Sequence, residues 1–144
     1  MTHADLGRLL LEGHRSLVAE LIAGLEERGW PDLRGGHTTV FLHIDRRSGT
    51  RLTELARRAG VTKQAMMQVV DDLEARGYVR RVPDAEDARA KVVRLTARGR
   101  RCAGDCRRIV QAQETWTRRS VGERRFEAFR EALELLAGGG EAES

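Results

Sequence analysis

The stretch RLTELARRAGVTKQAMMQVVDDLEARGYVRRVPDAEDARAKVVRLTARG, residues 51–99, carries the most informative pattern in the chain. Leu52, Leu55, Ala56 and Ala59 recur at the spacing of one helical face, and Thr53 is expected to cap that helix. Gly60 suits the left-handed backbone of a tight turn. Thr62 should cap a second helix, in which Met66, Val69, Val70 and Leu73 fall at i, i+3, i+4 and i+7 as a core-facing stripe. Gly77 closes it. Tyr78 to Val82 and Lys91 to Leu95 read as short strands joined by the polar loop Pro83 to Ala90. That loop is too long for a two-residue hairpin turn, so the ribbon carries a projecting wing.

Helices flank this unit on both sides. Leu6, Leu10, Leu17 and Leu21 repeat near the 3.6 period, with Leu9, Val18 and Leu25 widening the stripe, which predicts a helix from about Ala4 to Arg28. At 1.5 Å per residue it would run about 36 Å, long for a domain of this size. Gly29-Trp30-Pro31 ends it. A second helix, about Gly36 to Asp45, offers Val40, Phe41 and Ile44 to the core, and Arg47-Ser48-Gly49 makes a turn. After the ribbon, Thr96 starts a helix over about Ala97 to Arg119. Ser120-x-x-Glu123 has the form of a capping box for a last helix bearing Phe126, Phe129, Leu133 and Leu136. Gly138-Gly139-Gly140 ends the pattern, and residues 139–144 read as a disordered tail.

The chain is therefore expected to be mainly α with a small β-wing. Its 144 residues form one domain. Residues 36–96 make the helix-turn-helix and wing, and residues 4–30 and 97–138 supply long N- and C-terminal helices. These present more apolar stripe than one small core needs, which predicts dimerisation through them. No apolar run reaches membrane-spanning length and no signal-peptide pattern opens the chain, so a cytoplasmic protein without a membrane partner is expected.

Charge is unevenly distributed. Residues 51–101 hold 13 Arg and Lys against 7 Asp and Glu, whereas the rest of the chain holds 13 against 15. Positive charge thus gathers where a polyanion would be bound by counterion release. The only two lysines, Lys63 and Lys91, fall in the second helix of the pair and on the ribbon. On a helical wheel Gln64 and Gln68 point away from the buried stripe, with Lys63 and Met67 beside them. Gln bonds adenine bidentately in the major groove, Lys reaches guanine or phosphate, and Met touches a thymine methyl. Thr62 and the free N–H groups at the helix start suit a phosphate. Asp71, Asp72 and Glu74 would repel phosphates, so only the first two turns are expected to enter the groove. Arg89 at the wing tip is the candidate for the minor groove, with Asp87 expected to fix its guanidinium through a bidentate pair. Arg80, Arg81, Lys91 and Arg94 are expected phosphate contacts.

Here a resemblance becomes specific. Arg51-Leu52-Thr53-Glu54-Leu55-Ala56, Gly60-Val61-Thr62-Lys63-Gln64-Ala65 and Leu73-Glu74-Ala75-Arg76-Gly77-Tyr78-Val79-Arg80-Arg81 resemble the winged helix-turn-helix of the MarR family of bacterial transcription regulators in order and spacing. Asp84 to Lys91, followed by Val93-Arg94-Leu95-Thr96-x-x-Gly99, resembles that family's wing signature, Asp-Pro-x-Asp-Arg-Arg. Ala85 replaces its Pro and Ala88 its first Arg, so one basic contact is missing. The resemblance implies a homodimer joined through the first and last helices, binding double-stranded DNA at a palindromic operator. A twofold dimer sets its recognition helices about 34–36 Å apart, one turn of DNA. It also implies repression, and release by a small phenolic or aromatic effector held between the dimerisation helices and the DNA-binding unit. Trp30, His37, Phe41, Ile109, Gln113 and Trp116 are the candidates for that pocket.

Other chemistries find little support. Cys102 and Cys106 lie at i, i+4, about 5–6 Å apart at Cβ and beyond disulfide geometry, and are expected to be reduced and buried. His3, His14, His37 and His43 are scattered without ligand spacing, so no metal or other cofactor is expected. No phosphate-binding Gly loop, nucleophile elbow or paired-carboxylate motif marks an enzyme. A winged helix used for protein contacts or as an architectural DNA module is the alternative.

Overall fold

The computed structural model describes residues 4–138, so the expected tail over 139–144 lies outside the described residues. Among the described residues six helices and three strands follow in the order α1 (Leu6–Glu27), α2 (Gly35–His43), β1 (Thr50–Arg51), α3 (Leu52–Ala59), α4 (Lys63–Ala75), β2 (Val79–Pro83), β3 (Lys91–Leu95), α5 (Ala97–Val121) and α6 (Glu123–Ala137). The helix boundaries fall within about two residues of the periodicity. The chain divides into two compact units, the first ending at Ile109 and the second beginning at Val110.

In the first unit, Asp5 caps α1 by accepting from the Arg8 N–H at 2.8 Å. Thr62 caps α4 as expected, accepting from the Ala65 N–H at 3.1 Å. Gly60 sits at φ 67° between α3 and α4, where a side chain would be strained. Thr53 does not cap α3. The helix begins two residues earlier, with Arg51 in the extended capping position and Thr53 already inside the first turn. The cause is β1, a two-residue strand too short to leave a period in the sequence. It pairs antiparallel with β3, Thr50 opposite Val93, and so delivers the chain into α3 early. The sheet order is β1-β3-β2.

The core closes around Tyr78, which is 1% exposed. Phe41 meets its ring edge-on at 5.5 Å between centroids, and Trp30 lies tilted at 6.0 Å. Leu25, Val40, Leu55, Met66, Val70, Leu73, Val79 and Val93 fill the surroundings. Each such side chain contributes about 1.5–3 kcal/mol over leaving it in water. Cys102 and Cys106 are buried free thiols, and their mutual hydrogen bond together with burial pushes the Cys102 thiol far up, away from the reactive thiolate. The α1 stripe is only partly used. Leu21 and Leu25 are buried, but Leu6, Leu9 and Leu17 are exposed.

In the second unit α5 turns into α6 at Gly122. Ser120 is not a cap: α5 continues to Val121, and the Ser120 hydroxyl donates to the Trp116 carbonyl at 2.8 Å. Arg118 takes over the corner, pairing with Glu123 and with Glu127 at 3.0 Å while its guanidinium lies 4.3 Å from the Phe126 ring centre. Phe126 is buried; Phe129, Leu135 and Leu136 are exposed.

Candidate nucleic-acid interface

α4 is held by its stripe. Met66, Val70 and Leu73 are buried, which leaves Lys63, Gln64, Met67 and Gln68 exposed on the other side of the first two turns. Their backbone is fixed by Thr62 at one end and by packing along the length.

The three carboxylates further along α4 are all paired. Arg81 donates to Asp71 at 2.6 Å and to Glu74 at 2.9 Å, and its backbone N–H reaches Glu74 at 3.0 Å. Asp72 faces inward to His37 Nε2 at 2.6 Å and to Arg76 at 3.2 Å. His37 Nδ1 accepts the Arg34 N–H at 2.9 Å, so the Nε2 position carries the proton and donates to Asp72. Desolvation would raise the Asp72 carboxyl, but the His37 hydrogen bond and the Arg76 charge outweigh it and hold it below the usual carboxylate range.

Arg81, expected as a phosphate contact, is half-buried and engaged with the Asp71 and Glu74 carboxylates. Strand alternation explains why: Arg81 shares a face with buried Val79 and opposes Val93, whereas Arg80 opposes Arg94 on the other face. The period-two pattern from Val79 was the signal in the sequence. Arg80 and Lys91 are exposed. Arg94 is half-buried and donates to the Arg47 carbonyl at 2.7 Å.

The wing is anchored at its base. Arg51 Nε donates to Asp84 at 2.9 Å, and the Glu86 N–H donates to the same carboxylate at 3.0 Å. The Glu86 N–H first, then Arg51, hold the Asp84 carboxyl below its ordinary range. Asp84 N–H bonds the Ala90 carbonyl across the loop at 2.9 Å. This anchor was missed because Arg51 and Asp84 are 33 residues apart. At the tip the Arg89 side chain is 94% exposed. The expected bidentate pair with Asp87 is not formed. Asp87 Oδ1 accepts the Arg89 N–H at 3.1 Å, and Arg89 Nε stands 3.4 Å from the same oxygen. Two residues of separation let the carboxylate close a local turn onto the backbone instead.

The six effector candidates are dispersed in role. Phe41 is fully buried and His37 is 7% exposed, both occupied by the contacts above. Trp30 Nε1 donates to Asp105 at 2.8 Å. Ile109 is buried against Gly24 of α1. In the second unit Gln113 is half-buried, and Trp116 is 71% exposed. Among the described residues no group of three or more His, Cys, Asp or Glu is arranged to hold a metal ion. No helix there is long and apolar enough to cross a membrane.

Known proteins share both the pattern and the shape. A profile of the MarR family matches residues 32–90. Over 133 residues the chain is 32% identical to the HTH-type transcriptional repressor Rv2887 of Mycobacterium tuberculosis H37Rv, covering 92% of this chain and 94% of the relative. Its fold is similar to that of CouR from Rhodococcus jostii RHA1 bound to p-coumaroyl-CoA, with a TM-score of 0.78 at 26% identity over 94% of this chain and 96% of that one. It is also similar to Rv2887 in complex with p-aminosalicylic acid, with a TM-score of 0.66 at 30% identity over 93% and 99% of the two chains. With its helix pair, wing and flanking helices in this order, the chain belongs to the MarR family of winged helix-turn-helix transcriptional regulators.

Proposed function

We propose that the chain acts as a homodimeric repressor that binds a palindromic operator, with α4 in the major groove and the wing beside it. The observation that carries this reading is the exposed set Lys63, Gln64, Met67 and Gln68 on a helix whose carboxylates are paired off. A polar reading face remains, without acids to repel phosphate. Thr62, Arg80, Lys91 and Arg94 contact phosphates, Arg89 enters the minor groove, and Asp87 shapes the wing tip. Arg81 acts indirectly, by neutralising Asp71 and Glu74. On α1 the exposed Leu6, Leu9 and Leu17, and on α6 the exposed Phe129 and Leu136, are each apolar faces for a second copy to cover. The role is regulatory rather than catalytic, in the cytoplasm. The p-aminosalicylic acid complex of Rv2887 supports a small aromatic molecule as the effector, and its binding would release the operator. Among the six candidates Trp116 is the exposed aromatic such a ligand can reach, whereas His37 and Phe41 serve packing.

Selection of bound fragments from a random duplex pool at near-physiological salt tests the reading. A palindrome with half-sites one helical turn apart is the expected result. Salt-sensitive binding without sequence preference would overturn operator recognition in favour of an architectural module.

Two substitutions separate the contacts. Arg89→Ala should cost about 1–3 kcal/mol of operator affinity if its guanidinium enters the minor groove; unchanged affinity would remove the wing contact. Arg81→Gln leaves Asp71 and Glu74 unpaired near the duplex. It should weaken binding by about 1 kcal/mol at low salt, less at high salt, with sequence preference intact. Fluorescence anisotropy at two salt concentrations reads both.

A further inference from the structure

A cavity of about 600 Å³ opens in the first unit beside Tyr78, lined by Pro31, Asp32, Leu33, Arg34, Arg76 and Arg98 along with the tyrosine. Its size fits an organic molecule rather than a lone inorganic ion. Its charge is one-sided, with three guanidinium groups against the single carboxylate of Asp32. Arg76 is engaged with Asp72 at 3.2 Å and with the Asp32 carbonyl at 2.6 Å. Arg34 and Arg98 form no ion pair among the described residues. Arg98 is nevertheless positioned: its guanidinium carbon lies 4.7 Å from the Tyr78 ring centre and 5.7 Å from that of Trp30, and Nη2 stands 3.3 Å from the Tyr78 hydroxyl. Aromatic backing holds the planar fork in place before any ligand arrives.

We propose that this cavity binds an organic phosphate monoester, the phosphate held by Arg34, Arg76 and Arg98 and the organic body against Tyr78 and Pro31. Two guanidinium groups without carboxylate partners match a phosphate monoester, which carries about two negative charges at neutral pH and three terminal acceptor oxygens. A carboxylate supplies one charge and two oxygens, and leaves one fork unfilled. A DNA phosphate is not the occupant. Arg76 follows the C-terminal end of α4, about 20 Å along the axis from Lys63 at 1.5 Å per residue. Binding has a route to the reading helix, because the ligand competes with Asp72 for Arg76 and frees the last turn of α4. That effect on operator binding rests on the function proposed above; occupancy of the cavity does not.

Calorimetry of the full chain without DNA therefore tests the site separately. Phenyl phosphate should bind at one site per chain, at least tenfold more tightly than benzoate or inorganic phosphate. Arg98→Gln and Arg34→Gln should each weaken it at least tenfold while leaving ligand-free operator affinity unchanged. Arg34 lies on an exposed loop, so its variant remains informative if removing Arg98 from Tyr78 impairs folding. Absence of saturable binding at millimolar phenyl phosphate, equal affinity for benzoate, or full affinity in a folded Arg34→Gln variant would each overturn the proposal. Weakened DNA binding by Arg34→Gln without ligand would also overturn it, by making the cluster a backbone contact.

Discussion

Gly99→Ala should destabilise the protein by more than about 3 kcal/mol, enough to remove much of the 5–15 kcal/mol that holds a domain of this size folded. A Cβ at Gly99 would stand 1.9 Å from the Tyr78 carbonyl oxygen and 3.0 Å from its carbon. Neither atom can yield as the end of a flexible side chain would. The same carbonyl accepts the Thr96 N–H at 3.0 Å and the Thr96 hydroxyl at 3.1 Å, and Tyr78 is locked between Phe41 and Trp30. The first turn of α5 would have to lift off β2. Ordinary overpacking costs about 1–3 kcal/mol, and a backbone-to-backbone clash lies above that range. Gly104→Ala is the control: its Cβ would meet nothing closer than Arg108 Nη1 at 3.8 Å, so it should be neutral or stabilising by up to about 1 kcal/mol. Urea denaturation of both variants checks this. An unchanged midpoint for Gly99→Ala would mean that α5 does not approach β2 this closely.

The double substitution Gln64→Ala and Gln68→Ala should remove a large part of the operator preference while sparing non-specific binding. Each bidentate glutamine contact discriminates by about 1–3 kcal/mol, so together they account for about 2–6 kcal/mol. That is a large part of the 4–10 kcal/mol separating specific from non-specific affinity in such proteins. The loss should read as a rise of roughly 30-fold to 10⁴-fold in the operator Kd. Affinity for unrelated duplex, and its salt slope, should stay as they were, because Lys63, Arg80 and Lys91 remain to release counterions. Both glutamines are exposed and neither packs into the core, so the melting temperature should not move appreciably. Retained preference in the double variant would exclude the two glutamines as base readers and leave Lys63, Met67 or DNA shape as the source of specificity.

Most elements were legible because their signals are local. The stripe Met66, Val70 and Leu73, the cap at Thr62 and the turn at Gly60 each depend on residues within one or two helical turns, so backbone geometry alone relates them. Two local readings failed, one because of a contact distant in sequence and one because a helix runs on past its expected end. Pairing of β1 with β3 moved the start of α3 ahead of Thr53, and continuation of α5 turned Ser120 from a cap into a helical residue.

Periodicity could place Lys63, Gln64, Met67 and Gln68 on one outer face, since a helix fixes the angle between successive side chains. It could not say which charges on that helix remain available to DNA. Arg81 takes Asp71 and Glu74, His37 takes Asp72, and Arg51 takes Asp84, each across 7 to 35 residues of chain. An ion pair is a matter of a few ångströms in space, and the same arginine in the sequence serves a phosphate, a carboxylate or water according to what the fold brings beside it. The convergence of Arg34, Arg76 and Arg98 on one cavity is of this kind: each belongs to a different part of the chain, and only packing of α4, β2 and α5 around Tyr78 makes them neighbours.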